Sequence, residues 1–132
     1  DPTRRGMVRT SWNLTGHRTS QTPEHSFSAD IKVNFSVAAE WNGKFVALAA
    51  YTDAYDMIPG GGGPELMTIQ PEKTVVNLTL DLFNENLGLG VQLFVDNATD
   101  EKYLFESQTT NYGGYQGVAF PRVFGARLRK SW

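Results

Sequence analysis

The chain has 132 residues, of which 40% are hydrophobic, and its formal net charge is -2 at pH 7. This balance fits one folded domain and excludes a disordered or strongly polyionic chain, so nucleic acid is not an expected partner. Cysteine is absent, which excludes disulfide bonds, thiolate metal sites and a cysteine nucleophile. No run reaches the roughly twenty apolar residues of a membrane-spanning helix, so any role in a bilayer would fall to strands or to the molecular surface.

Residues 1–23 are rich in Thr, Ser, Arg, Gln and Pro without a sustained period, and this composition predicts a loop. The chain opens on Asp1 rather than Met. We therefore expect a processed product or a piece of a longer protein, and we favour the piece.

Residues 24–37 carry the clearest strand signal, an almost unbroken alternation of apolar and polar side chains. The apolar set is Phe27, Ala29, Ile31, Val33, Phe35 and Val37. The segment Trp41-Asn42-Gly43 predicts a tight turn, because Asn-Gly favours hairpin reversals, and a second strand is expected over 44–55. The two faces of this second strand are not distinguished by its pattern.

Residues 56–72 predict a long loop, because the glycine run at 60–63 and its flanking prolines cannot hold regular structure. The later elements are again strands with a period of two, separated by one short turn and one long loop. They are strands over 73–84, 88–97 and 120–132, with the long loop over 98–119.

The predicted chain therefore has five strands, short turns at one end, long polar loops at the other and no convincing helix. Bacterial outer-membrane barrels have this asymmetry and strands of about ten residues. Their strands turn apolar side chains to lipid and polar side chains to the lumen. Expected to face lipid are Phe27, Ile31, Val33, Leu78, Leu80, Val91, Leu93 and Leu128. Expected to face the lumen are Asp30, Lys32, Asp81, Asp96, Arg127 and Arg129.

Two segments near the end of the chain resemble the end of TonB-dependent outer-membrane receptors. In that family an Asn-Leu-Thr/Phe-Asp-x-x-Tyr motif closes the penultimate strand, and a Pro-Arg-x-Phe/Tyr-Gly motif opens the last strand, which ends in Phe or Trp. The matching residues are Asn97-Ala98-Thr99-Asp100-Glu101-Lys102-Tyr103, Pro121-Arg122-Val123-Phe124-Gly125 and the terminal Trp132. Ala98 replaces the commoner Leu of the first motif.

The resemblance implies an all-β fold in which five antiparallel strands form the C-terminal segment of a roughly 22-stranded transmembrane β-barrel. The N-terminal plug domain would lie outside this chain. The implied location is the bacterial outer membrane, and the implied function is TonB-dependent uptake of a bulky nutrient such as a ferric siderophore, a cobalamin or an oligosaccharide. The implied partners are outer-membrane lipid, the remainder of the barrel, the plug domain, the TonB complex and the barrel-assembly machinery, which would read Phe124, Leu128 and Trp132.

Ligand contacts are expected, if anywhere, in the last long loop. Asn111, Tyr112 and Tyr115 are the candidates, because amphipathic aromatic side chains stack on sugars and chelates, although packing within a turn is equally expected of them. No catalytic residue, cofactor or metal site is predicted. Paired carboxylates at strand ends are usually solvated or turn-forming, and two histidines eight residues apart do not make a metal site.

A soluble all-β module is the alternative function, because a water-facing sheet shows the same alternation of apolar and polar residues. Its apolar faces would meet in a sandwich core, and its long loops would carry a ligand- or carbohydrate-binding site.

Overall fold

A computed structural model describes residue 15 and residues 19–38, 40–57, 69–110 and 113–131. Within these ranges the regular elements are β-strands, so the described chain is all-β. In chain order they are β1 (Ser26–Ala38), β2 (Trp41–Thr52), β3 (Tyr55–Asp56), β4 (Ile69–Gln70), β5 (Lys73–Asn84), β6 (Leu89–Asp96), β7 (Leu104–Thr110), β8 (Gly113–Val118) and β9 (Val123–Lys130). The described ranges hold no helix with the length and apolar character needed to cross a membrane.

Five strands form one antiparallel sheet in the order β1-β2-β5-β6-β9. Each long strand pairs with the next long strand along the chain, so the sheet is a meander. β1 and β9 are its edges, and neither pairs with a further strand within the described residues. The predicted five antiparallel strands are therefore confirmed, as an open sheet.

The first hairpin differs from the prediction in the position of its turn. β2 begins at Trp41, so the segment expected to reverse the chain belongs to the strand. Gly43 pairs with Phe35, and the ring of Phe35 occupies the space that a Cβ at Gly43 would need. The turn includes Glu40, which has a φ of 70°. The glycine therefore makes room for an aromatic ring across the strands rather than for a turn.

The two predicted long loops contain short hairpins of their own. β3 pairs with β4 in the first loop, and β7 pairs with β8 in the second, each as a separate two-stranded sheet. β7 has the sequence Leu-Phe-Glu-Ser-Gln-Thr-Thr, which lacks a sustained alternation of apolar and polar residues. Its cross-strand pairing could not be read from the hydrophobic pattern.

The register of the main sheet separates an apolar face from a polar face. In β2 it places Phe45, Ala47, Ala49 and Tyr51 on the apolar face and Lys44 and Val46 on the polar face, which settles the facing that the sequence left open. The apolar face carries Phe27, Ile31, Val33, Phe45, Leu78, Leu80, Val91, Leu93, Phe124 and Leu128. The polar face carries Asp30, Lys32, Lys44, Asp81, Gln92, Asp96, Arg127 and Arg129.

The described residues enclose almost no dry interior. Met57, at 5% exposure, is the only hydrophobic side chain among them that is fully withdrawn from solvent. On the apolar face Ile31 is 64% exposed, Phe124 is 71% exposed and Leu128 is 80% exposed. Extensive contacts between described strands run only between hydrogen-bonded neighbours. The described strands therefore do not build the sandwich core expected of the soluble alternative.

Candidate functional site

The second long loop connects β6 to β9, and its two ends form a base that is held together by Asn97. This side chain is 6% exposed, and its Nδ2 donates hydrogen bonds to the backbone oxygens of Glu101 at 2.9 Å and Phe120 at 3.3 Å. Its Oδ1 accepts a hydrogen bond from the backbone N–H of Glu101 at 2.9 Å. Asn97 has a φ of 52°, in the left-handed region that Asn tolerates better than most residues. One buried amide thus joins the two ends of the loop.

The two sequence motifs near the end of the chain meet at this base. Asp100 accepts a hydrogen bond on Oδ1 from the backbone N–H of Arg122 at 3.0 Å. The Arg122 guanidinium in turn donates to the backbone oxygen of Ala98 at 3.2 Å. Residues more than twenty positions apart therefore fix the start of β9 against the end of β6.

The β7–β8 hairpin lies between the two ends of this base, and its strand β8 carries Tyr115. The Tyr115 hydroxyl lies 2.6 Å from Gln108 Oε1 and 2.9 Å from Glu106 Oε1, and its single proton is donated to one acceptor at a time. The ring is 51% exposed. An aromatic face beside a carboxylate and an amide can stack on and hydrogen-bond a sugar-like ligand. The other two candidates, Asn111 and Tyr112, lie outside the described residues.

We expect the contact of Tyr115 to be lost at high pH. The hydrogen bond to the Glu106 carboxylate raises the pKa of Tyr115 above its ordinary value of 10.0. Because the folded-state pKa is raised, the contact is fully present below the ordinary value and disappears as the pH rises through the raised one. The late-titrating part of the tyrosinate absorbance curve should be smaller by one phenol in Tyr115→Phe. Glu106→Gln should move this titration to lower pH, and an unchanged curve would contradict the assignment.

A second polar cluster lies at the same end of the sheet, where β1 begins and β2 ends. His25 Nδ1 lies 3.1 Å from Asp53 Oδ2, and Tyr51 donates to Asp53 Oδ1 at 3.1 Å. A carboxylate oxygen of Glu24 completes a group of potential metal-ligand atoms within 4.8 Å of one another. Sequence reasoning missed this cluster, although the predicted hairpin of the first two strands brings the start of one beside the end of the other. Exposed acidic groups are common without an ion, so we assign the cluster no metal.

A hydrogen-bonded rung crosses the polar face of the sheet. Asp81, Gln92 and Arg127 are direct neighbours on β5, β6 and β9. Gln92 Nε2 donates to Asp81 Oδ1 at 2.7 Å, and Arg127 Nη1 donates to Gln92 Oε1 at 2.6 Å. The glutamine thereby couples a carboxylate to a guanidinium two strands away.

The guanidinium of Arg127 also stacks on an aromatic ring. Its Cζ lies 4.4 Å from the centroid of the Phe94 ring, within cation–π range. The Phe94 ring lies over Gly125, its cross-strand partner, where a Cβ would collide with the ring. Glycine at this position therefore allows the stack that orients Arg127.

Gly125→Ala is expected to destabilise the folded sheet by about 1 to 3 kcal/mol, because the new methyl group displaces the Phe94 ring. Gly90→Ala is the matched control, since its Cβ would meet its nearest neighbour, Arg129 Cβ, at an ordinary 3.8 Å. Urea unfolding followed by tryptophan fluorescence would measure both variants. Equal losses in the two variants would contradict a specific role for the Phe94 stack.

The proposed assembly signal is only partly within the described residues. Phe124 and Leu128 lie on the apolar face of the edge strand β9, and Trp132 lies outside the described residues. No family model, curated protein or solved structure matches this chain.

Proposed function

We propose that this chain forms the C-terminal part of the barrel wall of a TonB-dependent outer-membrane receptor that imports a bulky nutrient. The observation that carries this proposal is the solvent-exposed apolar face, which extends across all five strands of the sheet. Soluble monomers rarely expose a contiguous apolar patch of more than a few hundred Å². Acyl chains of a lipid bilayer would remove such a face from water without a second protein layer.

The distribution of charge supports the same orientation. An Arg or Lys side chain facing lipid near the bilayer midplane costs roughly 2 to 4 kcal/mol. Arg127 and Arg129 lie on the face of the sheet that does not carry Leu128. Likewise, Lys44 lies on the face that does not carry Phe45. With the apolar face toward lipid, these cations are in the lumen, where water and polar groups solvate them.

The strand lengths and loop lengths also support a barrel wall. A strand needs about 9 to 11 residues to cross the hydrocarbon when tilted. β1, β2 and β5 exceed this length with 13, 12 and 12 residues, while β6 and β9 have 8 each. Short reversals join the strands at one end, while the β3–β4 and β7–β8 hairpins extend the connections at the other. We place the hairpin end outside the cell.

The open edges of the sheet are consistent with further strands. An unpaired strand edge in hydrocarbon leaves several kcal/mol of unsatisfied backbone per group. β1 and β9 would therefore pair with other strands of the same barrel, of about 22 strands by the resemblance. In this proposal the segment performs no covalent chemistry. It supplies wall and outer loops, while a plug domain and a TonB-contacting segment complete the receptor.

An uptake assay with a TonB control tests this function. Cells that lack the gene, and cells that lack TonB, would be compared with the parent for uptake of radiolabelled ferric siderophores, cobalamin and oligosaccharides. We expect one cargo to be lost in both strains and the protein to fractionate with the outer membrane. Normal uptake of every cargo, with the protein in the soluble fraction, would contradict the proposal.

The cluster formed by Tyr115, Glu106 and Gln108 favours a second candidate, a soluble carbohydrate-binding module. In that case the exposed hairpin carries the site. The full chain would then remain monomeric and unfold cooperatively in buffer without detergent. Aggregation that is relieved only by micelles would exclude this candidate.

A further inference from the structure

The side chain of Gln70 joins the two long loops at the hairpin end of the sheet. It is 1% exposed and so fully withdrawn from water. Its Oε1 accepts a hydrogen bond from the backbone N–H of Leu104 at 2.7 Å, and its Nε2 donates to the backbone oxygen of Pro71 at 2.9 Å. Gln70 lies on β4, and Leu104 is the first residue of β7. One buried amide therefore links the β3–β4 hairpin to the β7–β8 hairpin.

A second contact runs beside this hydrogen bond. The Lys73 ammonium lies 3.9 Å from the centroid of the Tyr103 ring, within cation–π range. Lys73 follows Gln70 by three positions and begins β5, while Tyr103 directly precedes Leu104. The two hairpins are thus joined at two neighbouring points where they leave the main sheet.

Each hairpin by itself is a weak structure. β3 and β4 share two residue pairs, Tyr55 with Gln70 and Asp56 with Ile69, and a two-stranded hairpin in water is at best marginally stable. If one hairpin opened alone, the buried amide of Gln70 or the backbone N–H of Leu104 would lose its partner. Because an unpaired buried polar group is unfavourable, the link favours states in which both hairpins are formed or both are open.

We propose that the β3–β4 and β7–β8 hairpins open and close as one cooperative unit, with Gln70 as the residue that couples them. Units of this kind open at a lower free energy than the main sheet and involve neighbouring motifs together. A molecule that immobilises Tyr115 on β8 would therefore also reduce the opening of β3–β4, to which β8 is linked only through β7 and Gln70.

Hydrogen exchange followed by mass spectrometry tests this coupling in the full protein. Gln70→Met keeps the length of the side chain but removes both of its hydrogen bonds. It should raise the exchange rates of the amides in both hairpins by about tenfold, as expected for the loss of a buried hydrogen bond. Amides in the middle of β5 and β6 should keep their rates. A rise in one hairpin alone, an equal rise in β5 and β6, or no rise in either hairpin would overturn the proposal.

Gln108→Met is the matched control for Gln70→Met. Gln108 is exposed on β7, and the Tyr115 hydroxyl that it accepts from keeps Glu106 as a second acceptor. This variant should leave the exchange rates of both hairpins close to those of the parent. Equal rises in the two glutamine variants would contradict a specific role for the buried amide.

A substitution on β8 tests the coupling from the other side, because coupling between two sites is reciprocal. Gly117→Ala displaces the Phe105 ring, which occupies the space of the new Cβ, and so weakens the β7–β8 hairpin. Exchange should then rise in β3–β4 as well. When Gly117→Ala is combined with Gln70→Met, its added effect should be confined to β7–β8. Faster exchange in β7–β8 with unchanged exchange in β3–β4 in the single variant would contradict the coupling. The readout involves neither cargo uptake nor the apolar face, so this proposal and the proposed function can fail separately.

Discussion

Leu80→Arg is expected to destabilise the folded protein in a bilayer by about 2 to 4 kcal/mol and to reduce its amount in the outer membrane severely. Leu80 lies on the central strand of the sheet, in the row formed with Val33, Phe45, Leu93 and Ala126. If this row faces acyl chains near the middle of the bilayer, the guanidinium has no polar partner within reach. It must then either lose its hydration or be accompanied by water in the hydrocarbon.

Thr79→Arg is the matched control for Leu80→Arg, since Thr79 is adjacent on the same strand and points to the polar face. A cation there can be hydrated in the lumen and should cost much less. Urea unfolding in lipid vesicles, with immunodetection of each variant in outer-membrane fractions, measures both effects. A larger loss for Thr79→Arg than for Leu80→Arg would contradict the assigned facing.

Asn97→Ala is expected to have the other large effect, a loss of about 2 to 5 kcal/mol in the free energy of unfolding. The substitution removes hydrogen bonds from a side chain that is 6% exposed and leaves the backbone groups of Glu101 and Phe120 without these partners. It also forces alanine into the left-handed conformation that Asn97 adopts.

Asn97→Gly separates these two contributions, because glycine adopts a positive φ without strain but makes no side-chain hydrogen bond. It should be less destabilising than Asn97→Ala by about 1 to 2 kcal/mol. Asn86→Ala, in the exposed turn between β5 and β6, is the control and should change stability by less than about 0.5 kcal/mol. Chemical denaturation of the three variants measures these differences. A cost for Asn97→Ala no greater than that for Asn86→Ala would exclude the proposed anchor.

The main sheet was predictable because each long strand alternates with a period of two. The strand predicted over about 73–84 corresponds to β5, Lys73–Asn84. The polar set of the last strand, including Arg127 and Arg129, also falls on the same face as Asp81, as the alternation predicted. The alternation of apolar and polar side chains indicates both that a segment is a strand and which face each side chain occupies. A register shift of one residue would move every side chain to the other face.

Features that depend on cross-strand partners were not predictable from local pattern. Gly43 resembles a turn glycine in sequence, but its role depends on the ring of Phe35, which the register places opposite it. The same holds for Gly125 under Phe94. Tyr115 was a candidate from its residue type alone, and its hydrogen-bonding acceptors became apparent only from the pairing of β7 with β8.

A single-cysteine scan along β5 tests the central claim most directly. The chain has no native cysteine, so it carries only the introduced spin label. Any cysteine elsewhere in the receptor would first be replaced. In the full protein in lipid vesicles, labels at Val76, Leu78, Leu80 and Leu82 should be accessible to oxygen dissolved in lipid and shielded from a water-soluble nickel chelate. Labels at Asn77, Thr79 and Asp81 should lack this lipid signature. Labels on the apolar positions that are shielded from both reagents would place them in a packed protein core and contradict the account.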